Sequence, residues 1–251
     1  MNPEQSTFPI YRLVNQEAQS ELITAEDIRG FFVSPDCTPP NDVTFTNVHS
    51  FHQTRKKTDD TELEILNHRQ EKIGEYYIGP TSLSSPDPRQ ESIRCASLSY
   101  SFFGYRCEFP MAGEVWRRWA DRDPIKLGEW ERHPVEFHES WLHVAQTAWF
   151  TARRRAIRYG TDEIAYIDGS KTSTRPAFYC ALGEAVNGPG GYFGSNLDAL
   201  IDCLSSTRKA GLTFRVTWDR FSSSREELGE GFVTQAVDIM ERFGVQVTCR
   251  G

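Results

Sequence analysis

Alternating apolar and polar residues dominate the first hundred positions. "IYRLVN" (10–15) and "DVTFTNV" (42–48) are short β-type runs, with the Pro- and Asp-rich "SPDCTPPND" as punctuation before the second. In "TELEILNHRQEKIGEYYIG" (61–79), Leu63 and Ile65 alternate with polar residues, a polar stretch turns the chain, and apolar residues resume from Ile73 to Ile78. That spacing predicts a β-hairpin. "TSLSSPDPRQ" (81–90) reads as a polar loop, and "IRCASLSYSFFGYRCEF" (93–109) resumes the alternation.

The period then lengthens. "AGEVWRRWA" (112–120) reads as a short helix with Val115 and Trp119 on one face. "HESWLHVAQTAWFTARRRAIRYG" (138–160) sets Trp141, Leu142, Ala145, Ala148 and Trp149 at helical spacing. It ends in Arg153, Arg154, Arg155 and Arg158 before Gly160, ordinary chemistry for a helix end. After Gly160 the pattern is strand, helix, helix, strand, helix, strand. "IAYIDG" (164–169), "LTFRVTWDRF" (212–221) and "VQVTC" (245–249) are the strands. "RPAFYCALGEAV" has Pro176 in its first turn and Phe178, Leu182 and Val186 on one side; "NGPGG" stops it. "GFVTQAVDIMERFG" carries Phe232, Ala236, Ile239, Met240 and Phe243 as its stripe, with Gly244 as its cap. Strands separated by helices imply a parallel sheet. The expected organisation is a β-rich α+β domain over 1–158 and an α/β domain over 160–251.

Within the second part lies "GGYFGSNLDALIDCL" (190–204). Ser195 or Asn196 can cap this helix, and Leu197, Leu200, Ile201 and Leu204 form an expected buried face. Asp198 and Asp202 sit together on a neighbouring face, and their like charges repel by a few tenths of a kcal/mol. Spacing alone favours a solvated helix face. The other reading is a site for the Arg and Lys side chains of a partner, bound by charge-assisted hydrogen bonds. Glycines in the preceding loop allow close backbone approach, and Tyr192 and Phe193 add apolar area. Two carboxylates with no nearby His make a poor metal shell.

Composition narrows the classes. The net charge of −7 argues against a general nucleic-acid binder and is compatible with a basic protein partner. From Gly160 onward there are 12 acidic and 9 basic residues, so any electrostatic specialisation is local. The apolar runs are too short to span a bilayer, and the first residues lack the pattern of a secretory signal. A soluble, cytoplasmic protein without membrane contact is therefore expected. Cys37, Cys95, Cys107, Cys180, Cys203 and Cys249 form no C-x-x-C pair and read as free thiols without a zinc site.

Other chemical motifs fail on spacing. His138 and His143 in "HESWLH" are five apart, about 140° around a helix, where a zinc-protease motif needs four. Only the size of the first part and its richness in aromatic residues and His suggest an enzyme there, with His138, His143 and Glu139 as the site to test. "VWRRWA" reads as a helix with Trp inside and Arg outside rather than a nucleic-acid contact. Cys203 has no base in its domain, since all six His precede Gly160. "NGPGG" lacks the Lys and Ser/Thr of a phosphate loop. No catalytic residue, metal ligand or cofactor site is identified, and a non-enzymatic protein is expected.

The pattern from "YIDG" through "PGGYFGSNLDALIDCL", "VTWDRF" and "FGVQVTC" resembles the barstar family, intracellular inhibitors of the ribonuclease barnase. The resemblance spans about Ile164 to Arg250. It implies a three-stranded parallel sheet flanked by helices, and a loop and acidic helix that enter a ribonuclease active site. There the acids pair with the Arg and Lys side chains that would hold RNA phosphates. Residue by residue, Tyr192 matches the contact aromatic, and Gly194, Asn196, Asp198 and Asp202 match the loop and helix. Asp202 matches the family's dominant acid. Phe193 and Ile201 complete the expected contact set, Ile201 standing where the family has Trp. The family's Trp beyond this helix is absent from "SSTRKAG", and the acid of its last helix falls near Ile239, beside Asp238 and Glu241. Trp218 is read as core. The implied function is an immunity protein, acting against a small basic ribonuclease or related toxin in a bacterial cytoplasm. The alternative is a docking module for another basic protein.

Overall fold

The computed structural model describes residues 8–36, 42–53, 55–85 and 97–251. Cys37, Cys95 and most of "SPDCTPPND" and "PDPRQ" lie outside the described residues. The chain forms two compact units, Met1–Pro124 and Ile125–Gly251.

The first unit is built on six antiparallel strands: β1 (Tyr11–Asn15), β2 (Ser20–Arg29), β3 (Asp42–Phe51), β4 (Lys57–Leu66), β5 (Lys72–Leu83) and β6 (Leu98–Phe102). They close into a barrel in the order β1-β2-β3-β6-β5-β4, with β1 also paired to β4. Closure leaves no free sheet edge. The expected hairpin is β4–β5, with Leu63 opposite Tyr76 and Ile65 opposite Gly74. Tyr11, Leu13, Ile23, Phe45, Leu63, Ile65 and Tyr100 fill the interior and are fully buried. Strand β2 escapes the reading of the sequence. Its pairing slips at Thr24/Ala25, so Leu22, Ile23, Thr24 and Ala25 are all buried and the two-residue period is lost.

Helix α1 (Ala112–Ala120) packs with Ala112, Val115, Trp116 and Ala120 inward. Trp116, rather than Trp119, is the buried aromatic. It donates from Nε1 to the Tyr76 hydroxyl at 2.8 Å and lies over Gly74, where a Cβ would collide with the ring. Arg118 donates to the carbonyls of Asp123 and Pro124 at 2.8 Å. The Arg–Trp interleaving is thus a packed helix with a solvated edge.

The second unit begins with a 3-10 turn at Trp130–Arg132 and α2 (Val135–Thr151). Next come β7 (Ile164–Asp168), α3 (Arg175–Asn187), α4 (Leu197–Lys209), β8 (Arg215–Asp219), α5 (Phe221–Leu228), α6 (Glu230–Arg242) and β9 (Gln246–Arg250). The strands form a parallel sheet in the order β7-β8-β9, so the expected α/β fold is present. Ala165, Ile167, Val216 and Trp218 face the helices and are buried, whereas Tyr166 stands on the outer face. Trp218 is core, as expected. It stacks on Phe178 at 5.0 Å and donates from Nε1 to Ser224 Oγ at 2.9 Å. Helix α5 has no counterpart in the sequence reading. "FSSSREEL" lacks an apolar stripe, and its buried residues are Ser224 and Leu228. Arg220, at φ 51°, turns the chain out of β8 into it.

The division at Pro124/Ile125 falls earlier than the boundary near residue 158 read from the sequence. Helix α2 packs on α3, with Trp141, Leu142, Val144, Ala145 and Trp149 buried, so it belongs to the compact body of the second unit.

Burial within α2 gives a pH prediction. His143 is held down at about 4 because burial disfavours the imidazolium. A depressed folded value means the unfolded chain binds the proton more tightly, so stability is lost as pH falls from about 6.5 toward 4. The expected loss is roughly 1–3 kcal/mol over that window. Urea denaturation at pH 7 and pH 4.5 measures it, and His143→Gln should flatten the dependence. An unchanged slope in that variant would assign the effect elsewhere.

Candidate functional site

The site is built on the loop between α3 and α4. Gly188, at φ 81°, ends α3, and Gly191 N–H returns to the Gly188 carbonyl at 2.8 Å. Two side chains of α3 hold this loop in place. Asn187 donates to the Tyr192 carbonyl at 2.7 Å and to the Ile157 carbonyl at 3.3 Å, while its Oδ1 accepts from Tyr159 N–H at 2.6 Å. Glu184 is buried, and its Oε1 accepts from Gly190 N–H at 3.1 Å. Its Oε2 accepts from Gly128 N–H at 2.8 Å and from the Trp130 indole at 3.2 Å. Burial raises the Glu184 carboxyl above its usual range, and the three donors pull it back. Neither residue was singled out from the sequence. The available signal was a lone acid in the otherwise apolar run "ALGEAV", the kind of charge that needs partners when buried.

Gly194 brings the loop against the first turn of α4. At φ 102°, a Cβ there would lie 2.9 Å from Leu200 N. Of the two candidate caps, Asn196 is used: its Oδ1 accepts from Ala199 N–H at 2.8 Å.

Helix α4 is rotated from its expected seating. Leu200, Cys203, Leu204 and Thr207 are buried, the i, i+3, i+4, i+7 set one step around from that expected. Leu197 and Ile201 are half-buried, beside the exposed Asp198 and Asp202. Core and surface both take apolar residues here, so letters alone did not fix the rotation. The outward face therefore carries two apolar side chains alongside two carboxylates. Among the described residues, no hydrogen bond or ion pair holds either carboxylate.

The loop aromatics lie elsewhere than expected. Tyr192 is only 3% exposed and Phe193 is fully buried, as is Gly194. Phe150 of α2 covers Tyr192 edge-on at 5.4 Å, and Phe193 meets Phe214 at 5.7 Å. Burial pushes the Tyr192 hydroxyl up to about 12. The structure thus brings Asn196, Asp198, Ile201 and Asp202 together at the surface and places Tyr192, Phe193 and Gly194 beneath it. On the last helix, Asp238 and Glu241 are exposed and Ile239 is buried.

Cys203 and His138, both weighed for chemistry in the sequence, are packed inside. Cys203 is buried, and burial with the adjacent Asp202 charge pushes its thiol up to about 12. His138 is buried with its ring edge-on to Trp130 at 5.3 Å, a packing position. Among the described residues, no group of three or more His, Cys, Asp or Glu is placed to hold a metal ion, and no helix is long and apolar enough to cross a membrane.

No curated protein and no solved structure matches the chain. Residues 163–250, the C-terminal third of the chain, match the family model Barstar, described as barnase inhibitor.

Proposed function

We propose that this chain inhibits a small basic ribonuclease of the barnase type by laying α4 in its active-site cleft. One observation carries the reading. Asp198 and Asp202 stand one turn apart, exposed and unpaired among the described residues, on a helix whose other face is sunk in the stretch that matches the Barstar family. Their Cβ atoms are about 5–6 Å apart, as for any i, i+4 pair. Carboxylates so placed can substitute for RNA phosphates against Arg and Lys, with charge-assisted hydrogen bonds, while the helix blocks the cleft. Ile201 and Leu197 supply apolar contact between them, and Asn196 fixes the helix start. Tyr192, Phe193 and Gly194 act from below, as the support that sets the angle of α4. The biological role would be immunity, as the antitoxin of a toxin pair inside a bacterial producer.

The test is RNA cleavage by barnase in the presence of the full chain at several salt concentrations. Inhibition that weakens as salt rises supports the proposal, because exposed opposite charges steer the encounter. Absence of both inhibition and complex formation at micromolar concentration would remove it.

A second reading has its own observation. Phe150 takes Tyr192 out of solvent, and Ile201 occupies the position of the family's Trp. Both changes alter the rim of the site and suit a basic partner other than a nuclease. Recovery of such a partner through the α4 face, with no ribonuclease bound, would favour this docking role.

A further inference from the structure

Strand β7 is the outer strand of the C-terminal sheet, and its far edge is open. Ile164 lies opposite Arg215, and Arg215 N–H donates to the Glu163 carbonyl at 2.8 Å. In a parallel pair this register turns the backbone groups of residues 163, 165 and 167 toward β8. It turns those of Ile164 and Tyr166 away from it. Among the described residues, no hydrogen bond reaches the N–H or C=O of Ile164 or Tyr166.

A groove of about 570 Å³ runs beside this edge, lined by Ile164, Tyr166 and Asp168 on one side and by Ala181, Ala185 and Leu127 opposite. Leu127 is 68% exposed and Tyr166 is 62% exposed, so two large apolar side chains stand in water at the same groove. The lining is acidic. Glu131, Asp162 and Asp168 line the groove with one basic residue, Lys171, while Glu184 lies buried at its wall with both oxygens held by Gly128, Gly190 and Trp130. Lys171 is already paired with Glu131 at 2.7 Å, and Asp168 with Arg220. Asp162 is exposed without an ion pair among the described residues.

We propose that the β7 edge accepts an extended segment of a partner protein as a fourth strand, one that alternates small apolar residues with lysine or arginine. The free N–H and C=O groups supply the ladder, Tyr166 and Leu127 the apolar contacts, and the acidic lining the preference for cations. A second copy of this chain fits less well. Antiparallel pairing of two β7 strands about Tyr166 sets Asp162 of one copy diagonally beside Asp168 of the other, like charges at cross-strand distance. The docking edge is separate from the acid pair of α4 and does not rest on the ribonuclease reading.

The probe is the peptide acetyl-Lys-Val-Lys-Val-Lys-Val-Lys-amide, titrated into the full chain and followed by amide hydrogen exchange in NMR spectra. At saturation, exchange at Ile164 and Tyr166 is expected to slow at least about tenfold, with the β8-bonded amides of Ala165 and Ile167 unchanged. Tyr166→Pro removes an edge N–H without touching the β8 ladder and should weaken peptide binding at least about tenfold. Asp162→Lys, which leaves the backbone alone, should weaken it several-fold and serves if the proline variant does not fold. Asp202→Ala should bind the peptide as wild type does. Unchanged exchange at Ile164 and Tyr166 at saturation would overturn the proposal. So would undiminished binding by Asp162→Lys. Slow exchange at both amides in the free protein, together with a dimeric mass in sedimentation, would assign the edge to a second copy instead.

Discussion

Replacing Asp202 with alanine is expected to weaken barnase inhibition by about 100-fold or more, roughly 3 kcal/mol of binding. Asp202 is exposed and, among the described residues, unpaired, so its removal is expected to cost the fold nothing. Relief of its repulsion with Asp198 even helps α4 by a few tenths of a kcal/mol. In the complex the carboxylate would be desolvated against a guanidinium or ammonium group. Its loss leaves that cation buried without a partner, and most of the effect comes from there. Asp198→Ala should cost less, about tenfold, because Asp198 sits in the first turn and spends part of its charge on the helix N-terminus. Asn196→Ala acts differently, removing the cap of α4 and about 1 kcal/mol of stability. Inhibition constants and melting temperatures measured on the same three variants separate these effects. Full potency in Asp202→Ala would place the contact surface elsewhere.

Glu184→Ala is expected to destabilise the second unit by about 3–5 kcal/mol at pH 7, and Glu184→Gln by about 1–3 kcal/mol. Alanine leaves the N–H groups of Gly128 and Gly190 and the Trp130 indole without their acceptor. Glutamine keeps one oxygen but turns an N–H₂ toward at least one of the same donors. The sign of the pH dependence comes from the raised carboxyl. A folded value above the unfolded one contributes stability that is present below the unfolded pKa and lost as pH rises through the folded one. The wild-type penalty for holding a buried charge is therefore largest at neutral pH, and the three donors offset it. Denaturant titration of the unit that contains Trp130 and Trp218 gives the measurement. A Glu184→Gln chain as stable as wild type would show that these hydrogen bonds contribute no net stability.

Where a single local rule governs, the sequence was legible. The β4–β5 hairpin shows itself through Leu63 and Ile65 alternating with polar residues ahead of a polar turn, although its pairing shifts register at Ile65/Leu66, and the parallel sheet is implied by strands separated by helices. Asn196 was one of two candidate caps, and the helix begins directly after it. Legibility failed where two rules overlap. Strand β2 hides its period behind a bulge, and α5 is a serine-rich helix whose packing rests on Ser224 and Leu228. Spacing alone reads the acids of α4 as a solvated face, and it is the resemblance of the surrounding pattern to the barstar family that singles them out. The rotation of α4 was not legible, because Ile201 and Leu197 look like core residues whether they face core or partner. The burial of Tyr192 depends on Phe150, far upstream, and no local pattern announces it.

That contact bears on how the chain can be divided. Phe150, Gly128, Trp130, Ile157 and Tyr159 all precede the stretch that matches the Barstar family, yet each touches Tyr192, Glu184 or Asn187. The stretch that matches the family and the compact unit that contains it consequently have different lengths in this protein. Cutting at the homology limit would strip the roof from the loop and orphan its buried anchors. The compact unit begins at Ile125, and the 39 residues from there to Glu163 brace the sheet and helices that follow.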